Sequence, residues 1–183
     1  NNALRDDLTT LAEVFSSVGY GTAAFIGAFV LDGRWGLKQG FNYYDDHFDL
    51  KKYKQLDLGL VQRPGNEVVD SALSWLEKNQ REPFFAWVHL YDPHLPYQPP
   101  EPYFSRYNYS PPVSLYDGEI AFMDEQIGRL SKWLKANGLG EKTIMVLVGD
   151  HGEGLGEHGE LAHGYFIYDY AVHVPLIIST PDQ

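Results

Sequence analysis

Cysteine is absent from all 183 residues of the chain. Its absence excludes disulfides and thiolate zinc sites. Long hydrophobic runs are missing too: none approaches the roughly 18 residues that a membrane-spanning helix needs. Positive charge is scarce, with 14 Lys and Arg against 25 Asp and Glu, for a net charge of −11. Without clustered cations to neutralise phosphates, non-specific nucleic-acid binding is excluded as a function class. The acidic surplus reads as a solvated surface rather than as a site for a cationic partner. Asn1–Thr10 is polar, without a signal-peptide pattern or an initiator Met, as expected of a piece excised from a longer sequence. Hydrophobic residues nevertheless make up 44% of the chain and aromatics 15%, enough for one domain with a real core.

Periodicity sorts the chain into alternating helices and strands. Leu8–Val18 predicts an amphipathic helix with Leu8, Leu11, Val14 and Phe15 on one face, stopped by Gly19. Thr22–Val30 is small and apolar, as in a strand buried on both faces. Asp32–Asp49 reads as a surface excursion, in which Tyr43, Tyr44, Asp45 and Asp46 form a solvated loop rather than a metal cluster. Gly65–Asn79 predicts a helix with Val69, Leu73 and Leu76 inward, and Phe84–Leu90 a strand. Prolines crowd Pro96–Pro112 and predict an extended surface loop. Leu115–Ala136 is the clearest helix, with Ile120, Met123, Ile127, Leu130 and Leu134 on its apolar face and Gly138 at its end. Strands follow at Thr143–Val148 and Val174–Ser179. The pattern predicts an α/β fold, a mostly parallel sheet flanked by helices on both faces, in one unit over residues 1–183.

The chemistry concentrates where strands end. Thr143–Val148 gives way to Asp150-His151-Gly152-Glu153, and residues 149–164 hold six glycines and three histidines. Beyond a strand end, Asp150 and His151 can converge on one ion, although a solvated turn accounts for the dipeptide as well. Carboxylate oxygen suits Ca²⁺, Mg²⁺ or Mn²⁺, and imidazole shifts the preference toward Zn²⁺ or Mn²⁺. His94 lies just past the other strand, and parallel strands place their carboxyl ends on one edge. His94 and His163 are therefore candidates to bind an oxyanion or to give a proton to a leaving oxygen. His89 alternates with apolar neighbours and reads as a buried structural residue. His47, His158 and His173 read as structural or surface residues.

Four blocks, in order, resemble the sulfatase family of the alkaline phosphatase superfamily. The first is Thr10–Phe15 with Val18-Gly19-Tyr20 and Thr22–Phe25; the second is Trp35-Gly36-Leu37 with Gln39-Gly40-Phe41. The third runs from Pro83-Phe84-Phe85 to Asp92-Pro93-His94, with Pro96 and Tyr97. The last comprises Tyr116–Ile120 with Asp124, Asp150–Glu153, Leu155–Gly159, His163-Gly164 and Val174–Ile178. The resemblance implies an alkaline phosphatase-like fold that hydrolyses sulfate esters on a divalent metal, most often Ca²⁺, with Mn²⁺ or Zn²⁺ as alternatives. It makes Asp150 and His151 metal ligands, His94 the residue that contacts the sulfate and assists the leaving group, and His163 the counterpart of a sulfate-contacting Lys. Its substrates would be sulfated small molecules or carbohydrates.

Two departures accompany the resemblance. The family nucleophile, a formylglycine made from Cys or Ser in a C/S-x-P/A-x-R motif, has no counterpart here, and neither does the first Asp pair of metal ligands. Family order places both upstream of Thr10, so the chain is expected to begin about 100 residues into its domain and to turn over little substrate alone. His at position 151, where many members have Asn, resembles the branch of phosphonate monoester hydrolases and phosphoethanolamine transferases. A phosphate or phosphonate esterase, such a transferase and a non-catalytic binding module are therefore kept as alternatives. Oligomeric state is not legible, and the periplasmic or extracellular location common in the family is left open.

Overall fold

A computed structural model describes residues 3–52, 60–107, 109–160 and 162–181. Helix α1 (Leu11–Ser17) opens on a capping box: Thr10 Oγ1 accepts from the Glu13 amide, and the Glu13 carboxylate accepts from the Thr10 amide. Strand β1 (Gly21–Ile26) is the centre of a parallel three-stranded sheet ordered β2-β1-β3, with β2 at Tyr43–Asp45 and β3 at Phe84–His89. Its residues Thr22–Ile26 are fully buried, which suits a run of small, β-branched and aromatic side chains.

Both faces of this sheet are covered. On one, Ala23 and Phe25 of β1 pack with Val68 and Ala72 of helix α2 (Gly65–Asn79), joined by Trp75, Val88, Leu90 and Leu130. Full burial of a side chain such as Phe25 or Val68 contributes about 1.5–3 kcal/mol. On the other, Phe85 stacks between Phe15 of α1 and Phe41, at centroid distances of 4.7 and 5.9 Å. Asp92, just past β3, accepts from the Gly65 amide at 2.9 Å and so caps α2 in place of Pro64, whose side chain makes no cap bond.

Helix α4 (Val113–Ala136) follows the short α3 (Tyr103–Arg106), which interrupts the extended loop predicted over Pro96–Pro112; Asn108 of that loop lies outside the described residues. Its buried stripe differs from the predicted one. Ser114, Gly118, Glu119, Phe122, Gln126 and Leu134 face inward, while Ile120 is exposed. Gly118 is required there, because a Cβ would stand 2.9 Å from Pro99 Cγ. Of its polar members, Glu119 holds the start of the proline loop by accepting from the Gln98 amide, a contact that apolar periodicity does not report.

Strands β4 (Met145–Val148) and β5 (Leu176–Ser179) pair antiparallel and, among the described residues, form a separate sheet. The expected mostly parallel sheet is met by β1–β3, and β4–β5 is the antiparallel exception. The return from β4 through the glycine-rich loop and the one-turn helix α5 (Asp169–Val172) supplies no long crossover helix, so the chain comes back as an antiparallel strand. One face of this pair carries Val146, Val148, Leu176 and Ile178, each 54–61% exposed.

Three further expectations are corrected. Residues 29–35 form 3-10 turns, so β1 ends at Ile26 rather than at Val30. The first helix starts at Leu11, leaving Leu8 outside it; Leu8, Leu11 and Val14 are exposed and Ala12 is the buried residue, because the helix meets the sheet through Phe15. The excursion at 32–49 contributes strand β2, and Asp45 is buried rather than solvated. Asp45 Oδ2 accepts from Arg63 Nη2 at 3.0 Å, and Oδ1 lies 2.9 Å from His47 Nδ1. Burial works against the Asp45 carboxylate, yet its hydrogen bonds with Ser71 and His47 and the Arg63 charge hold its pKa below the usual value.

Candidate functional site

The carboxyl ends of β3 and β4 bring the predicted histidines together. The His163 ring is 3.9 Å from that of His151 and 5.8 Å from that of His94. Asp150 is close enough to act electrostatically on His89 and Tyr91 at the end of β3. The two strands belong to different sheets, yet their ends share one corner of the molecule.

His94 is held from three sides. Its Nδ1 lies 2.7 Å from Leu95 O, and a carbonyl can only accept, so Nδ1 carries the proton. In the neutral ring Nε2 is then an acceptor, and the Tyr91 hydroxyl stands 2.8 Å from it with the two rings stacked. Burial pushes the His94 pKa down, against the Leu95 carbonyl, and the neighbouring His163 and His151 rings act in the same direction as burial. Its backbone N–H donates to Glu119 Oε2 at 3.0 Å, while the Gln98 N–H donates to Oε1 at 2.6 Å. Glu119 is 4% exposed, and its pKa is pushed up to about 7, first by burial and then by the Asp92 carboxylate, against the pull of the two amides. One buried carboxylate on α4 therefore grips both ends of the turn that presents His94.

Asp150 and His151 are arranged as a pair of donors. His151 Nδ1 lies 2.8 Å from Gly152 O, which again places the proton on Nδ1. In the neutral ring Nε2 is then an acceptor, and it faces Asp150 Oδ2 across 3.7 Å. Two lone-pair donors at that spacing fit one side of a divalent ion's shell. Among the described residues no group of three or more His, Cys, Asp or Glu completes it. The Asp150 side chain is 83% exposed; its Oδ1 accepts from the His151 amide at 3.0 Å, which turns Oδ2 toward the ring. Gly152 is what permits this turn, because a Cβ would fall 1.9 Å from Tyr170 O.

Periodicity and motif spacing single out Asp150, His151, His94 and His163 but miss Tyr91, Tyr97, Glu119 and Glu153 at the same corner. Glu153 lies in the Asp150–Glu153 run and Tyr97 three residues past His94, so proximity in sequence was a usable signal for both. Glu119 fell within the Tyr116–Ile120 block of the resemblance, but a carboxylate on an inward helical face contradicts the apolar pattern. His89 is half-buried, its Nδ1 accepts from the Gly27 amide at 3.4 Å, and desolvation lowers its pKa. His158 adopts φ 55° and stacks on Tyr168 at 4.3 Å, away from this cluster of contacts, and His173 faces only Asp169.

A family model described as Sulfatase matches residues 2–183. The chain belongs to the sulfatase family. It is 29% identical over 208 aligned positions to an ulvan-active sulfatase of Formosa agariphila, covering 93% of this chain and 40% of that protein. Among solved structures, the phosphonate monoester hydrolase of Agrobacterium radiobacter superposes with a TM-score of 0.78 at 20% identity, over 98% of this chain and 54% of that one. The structure of BT4656 with its substrate D-glucosamine-2-N,6-O-disulfate gives 0.70 at 19% identity, over 99% and 57%. These likenesses establish an alkaline phosphatase-like α/β fold. The sulfatase-family chain spans less than half the length of the curated relatives it matches.

Proposed function

We propose that this sulfatase-family chain forms part of a metal-dependent hydrolase that cleaves sulfate esters of a carbohydrate or another small molecule. The observation that carries the reading is the convergence of His94, His151 and His163 beside the facing donors of Asp150 and His151. The ulvan-active relative and the disulfated glucosamine bound to BT4656 support a sulfated sugar as the substrate class.

Asp150 and His151 would hold the cation, with Ca²⁺ as the first expectation and Mn²⁺ or Zn²⁺ as alternatives. When bound, it would act as a Lewis acid on the ester oxygens. The chain's own residues do the rest by position. His151 keeps Nε2 free because Gly152 O takes its Nδ1 proton. His94 presents Nε2, bridged to the Tyr91 hydroxyl, at the same corner, where the pair can pass a proton to or from a leaving oxygen. His163 offers a second imidazole to the developing anion. The formylglycine nucleophile and the other metal ligands would come from sequence outside these 183 residues, since none of the serines here lies in a C/S-x-P/A-x-R context.

A specific observation favours a second reading, a phosphonate or phosphate ester hydrolase: His stands at position 151, and the fold superposes on a phosphonate monoester hydrolase. The two are separated by assaying the intact, metal-loaded protein on matched sulfate, phosphate and phosphonate monoesters of one alcohol. Sulfate release at the highest kcat/KM supports the proposal. Faster phosphonate or phosphate release transfers it to the second reading, and no turnover of any ester defeats both.

A further inference from the structure

Glu153 has no part in the mechanism above, yet it is among the most enclosed polar side chains at this corner, at 6% exposure. Its two oxygens are used by different partners. Oε2 accepts the Tyr97 hydroxyl at 3.1 Å, and Oε1 stands 3.0 Å from His163 Nδ1. Burial, and then the Glu153 charge, push the Tyr97 pKa well above the usual phenol value, so the hydroxyl keeps its proton and remains a donor. The carboxylate is already taken as an acceptor on one side and offers only lone pairs on the other. His163 Nδ1 must therefore carry the hydrogen that joins the ring to Glu153.

The consequence lies on the opposite side of the ring. With Nδ1 committed, Nε2 is the nitrogen left to work in the space shared with His151 and His94. Tyr97 is itself fixed: it is 6% exposed, packs edge-on to Tyr116 at 5.5 Å, and precedes Gln98, whose amide is held by Glu119. The His163 ring thus hangs from a chain of hydrogen bonds that reaches back to α4. A side chain placed only for packing would need neither the charge nor both oxygens.

We infer that Glu153, seated by Tyr97, is a positioning residue that selects the Nδ1-H tautomer of His163 and aims Nε2 at the group being transferred. The tautomer stands on the hydrogen bonds alone. Only its effect on rate rests on the reading of the site as an ester hydrolase, so two separate readouts test it. The first is long-range ¹⁵N–¹H correlation on the histidine-labelled protein, with His163 assigned through His163→Gln. The wild type is expected to show His163 in the single Nδ1-H form. Glu153→Gln keeps an acceptor and should retain that form, whereas Glu153→Ala should release a mixture of both tautomers. A wild-type His163 protonated on Nε2, or a Glu153→Ala spectrum unchanged from wild type, overturns the inference. If Glu153→Ala fails to fold, Tyr97→Phe replaces it and should show partial loss of the single form. The second readout is turnover of the sulfate ester by the intact protein. Glu153→Ala should lower kcat about 10–100-fold, the usual effect of removing the partner of a working histidine, with KM changed less than about 2-fold and Glu153→Gln recovering most of the loss. An equal change in kcat for Ala and Gln, or a loss confined to KM, overturns the positioning role. Absence of wild-type turnover would refute the hydrolase reading instead, and the tautomer would still be decided by the spectrum.

Discussion

The two sides of the candidate site are built on unlike ground. His94 projects from the end of β3, in a sheet covered on both faces, and its turn is clamped by a carboxylate with 4% exposure. Asp150 and His151 project from the end of β4, in a two-stranded unit with one apolar face open, and Asp150 is 83% exposed. One side is positioned by buried side-chain chemistry. The other is positioned by backbone, through the Gly152 carbonyl and the close approach of Gly152 to Tyr170 O. A donor proposed for a cation gains from this second arrangement, since the His151 amide fixes Asp150 Oδ1 while Oδ2 is left facing the His151 ring. A proton-handling imidazole gains from the first, since its orientation must not drift.

The contrast can be broken most forcefully at the histidines. In the intact protein, His151→Ala should abolish bound divalent metal and lower kcat/KM by about 10⁴-fold, whereas His94→Ala should keep the metal and cost about 10²-fold. Metal analysis alongside kinetics distinguishes them, and a His151→Ala variant with full metal content would refute the assignment. The next largest effect is on stability. Arg63 and Asp45 are 9% and 5% exposed, so Arg63→Ala leaves a buried carboxylate without its cation and should cost about 3–5 kcal/mol in urea unfolding.

A smaller effect is set by pH. The Glu119 pKa is raised to about 7 in the folded chain, above the ordinary carboxylate value of 4.5. Between those values the folded state holds more protons than the unfolded one, so stability falls as pH rises through the window and levels off above it. Asp92, also raised by burial, adds a contribution of the same sign. Urea midpoints from pH 4.5 to 8 should decline in the wild type and decline less steeply in Glu119→Gln. Equal slopes would remove Glu119 from the account. The smallest effect tests the open face. Val148→Thr should shift stability by less than about 0.5 kcal/mol, while the same change at buried Val68 should cost about 1–3 kcal/mol. Equal costs would mean that another part of the protein covers the face.

Much of this architecture was legible before the coordinates. The bounds of α2 match the apolar spacing of Gly65–Asn79, and β3 falls within Phe84–Leu90, because long periodic segments with clear stops carry their own signal. Strand β2 escaped notice since three residues with an aspartate cannot display a period, and its burial depends on Arg63, eighteen positions away. The antiparallel return of β5 escaped because periodicity carries no direction. Residue type and strand-end placement nominated Asp150, His151, His94 and His163, which the structure brings to one corner. Glu119 and Glu153 lay within blocks of the resemblance but were not nominated as site residues. Glu119 grips backbone amides and Glu153 bridges two segments 56 and 10 residues distant, and no local pattern encodes either partnership.

Val148 is separated from Asp150 by a single glycine, and that adjacency joins two events that look independent. A surface that closes over Val146 and Val148 would restrain the same backbone that carries the proposed cation donors. Thermodynamic reciprocity then applies: if such closure tightens ion binding by some factor, the ion tightens closure by the same factor. Loading with metal and completing the hydrophobic contacts of the second sheet would thus become a single cooperative equilibrium, readable as a metal-dependent rise in protection of the β4 amides from hydrogen exchange.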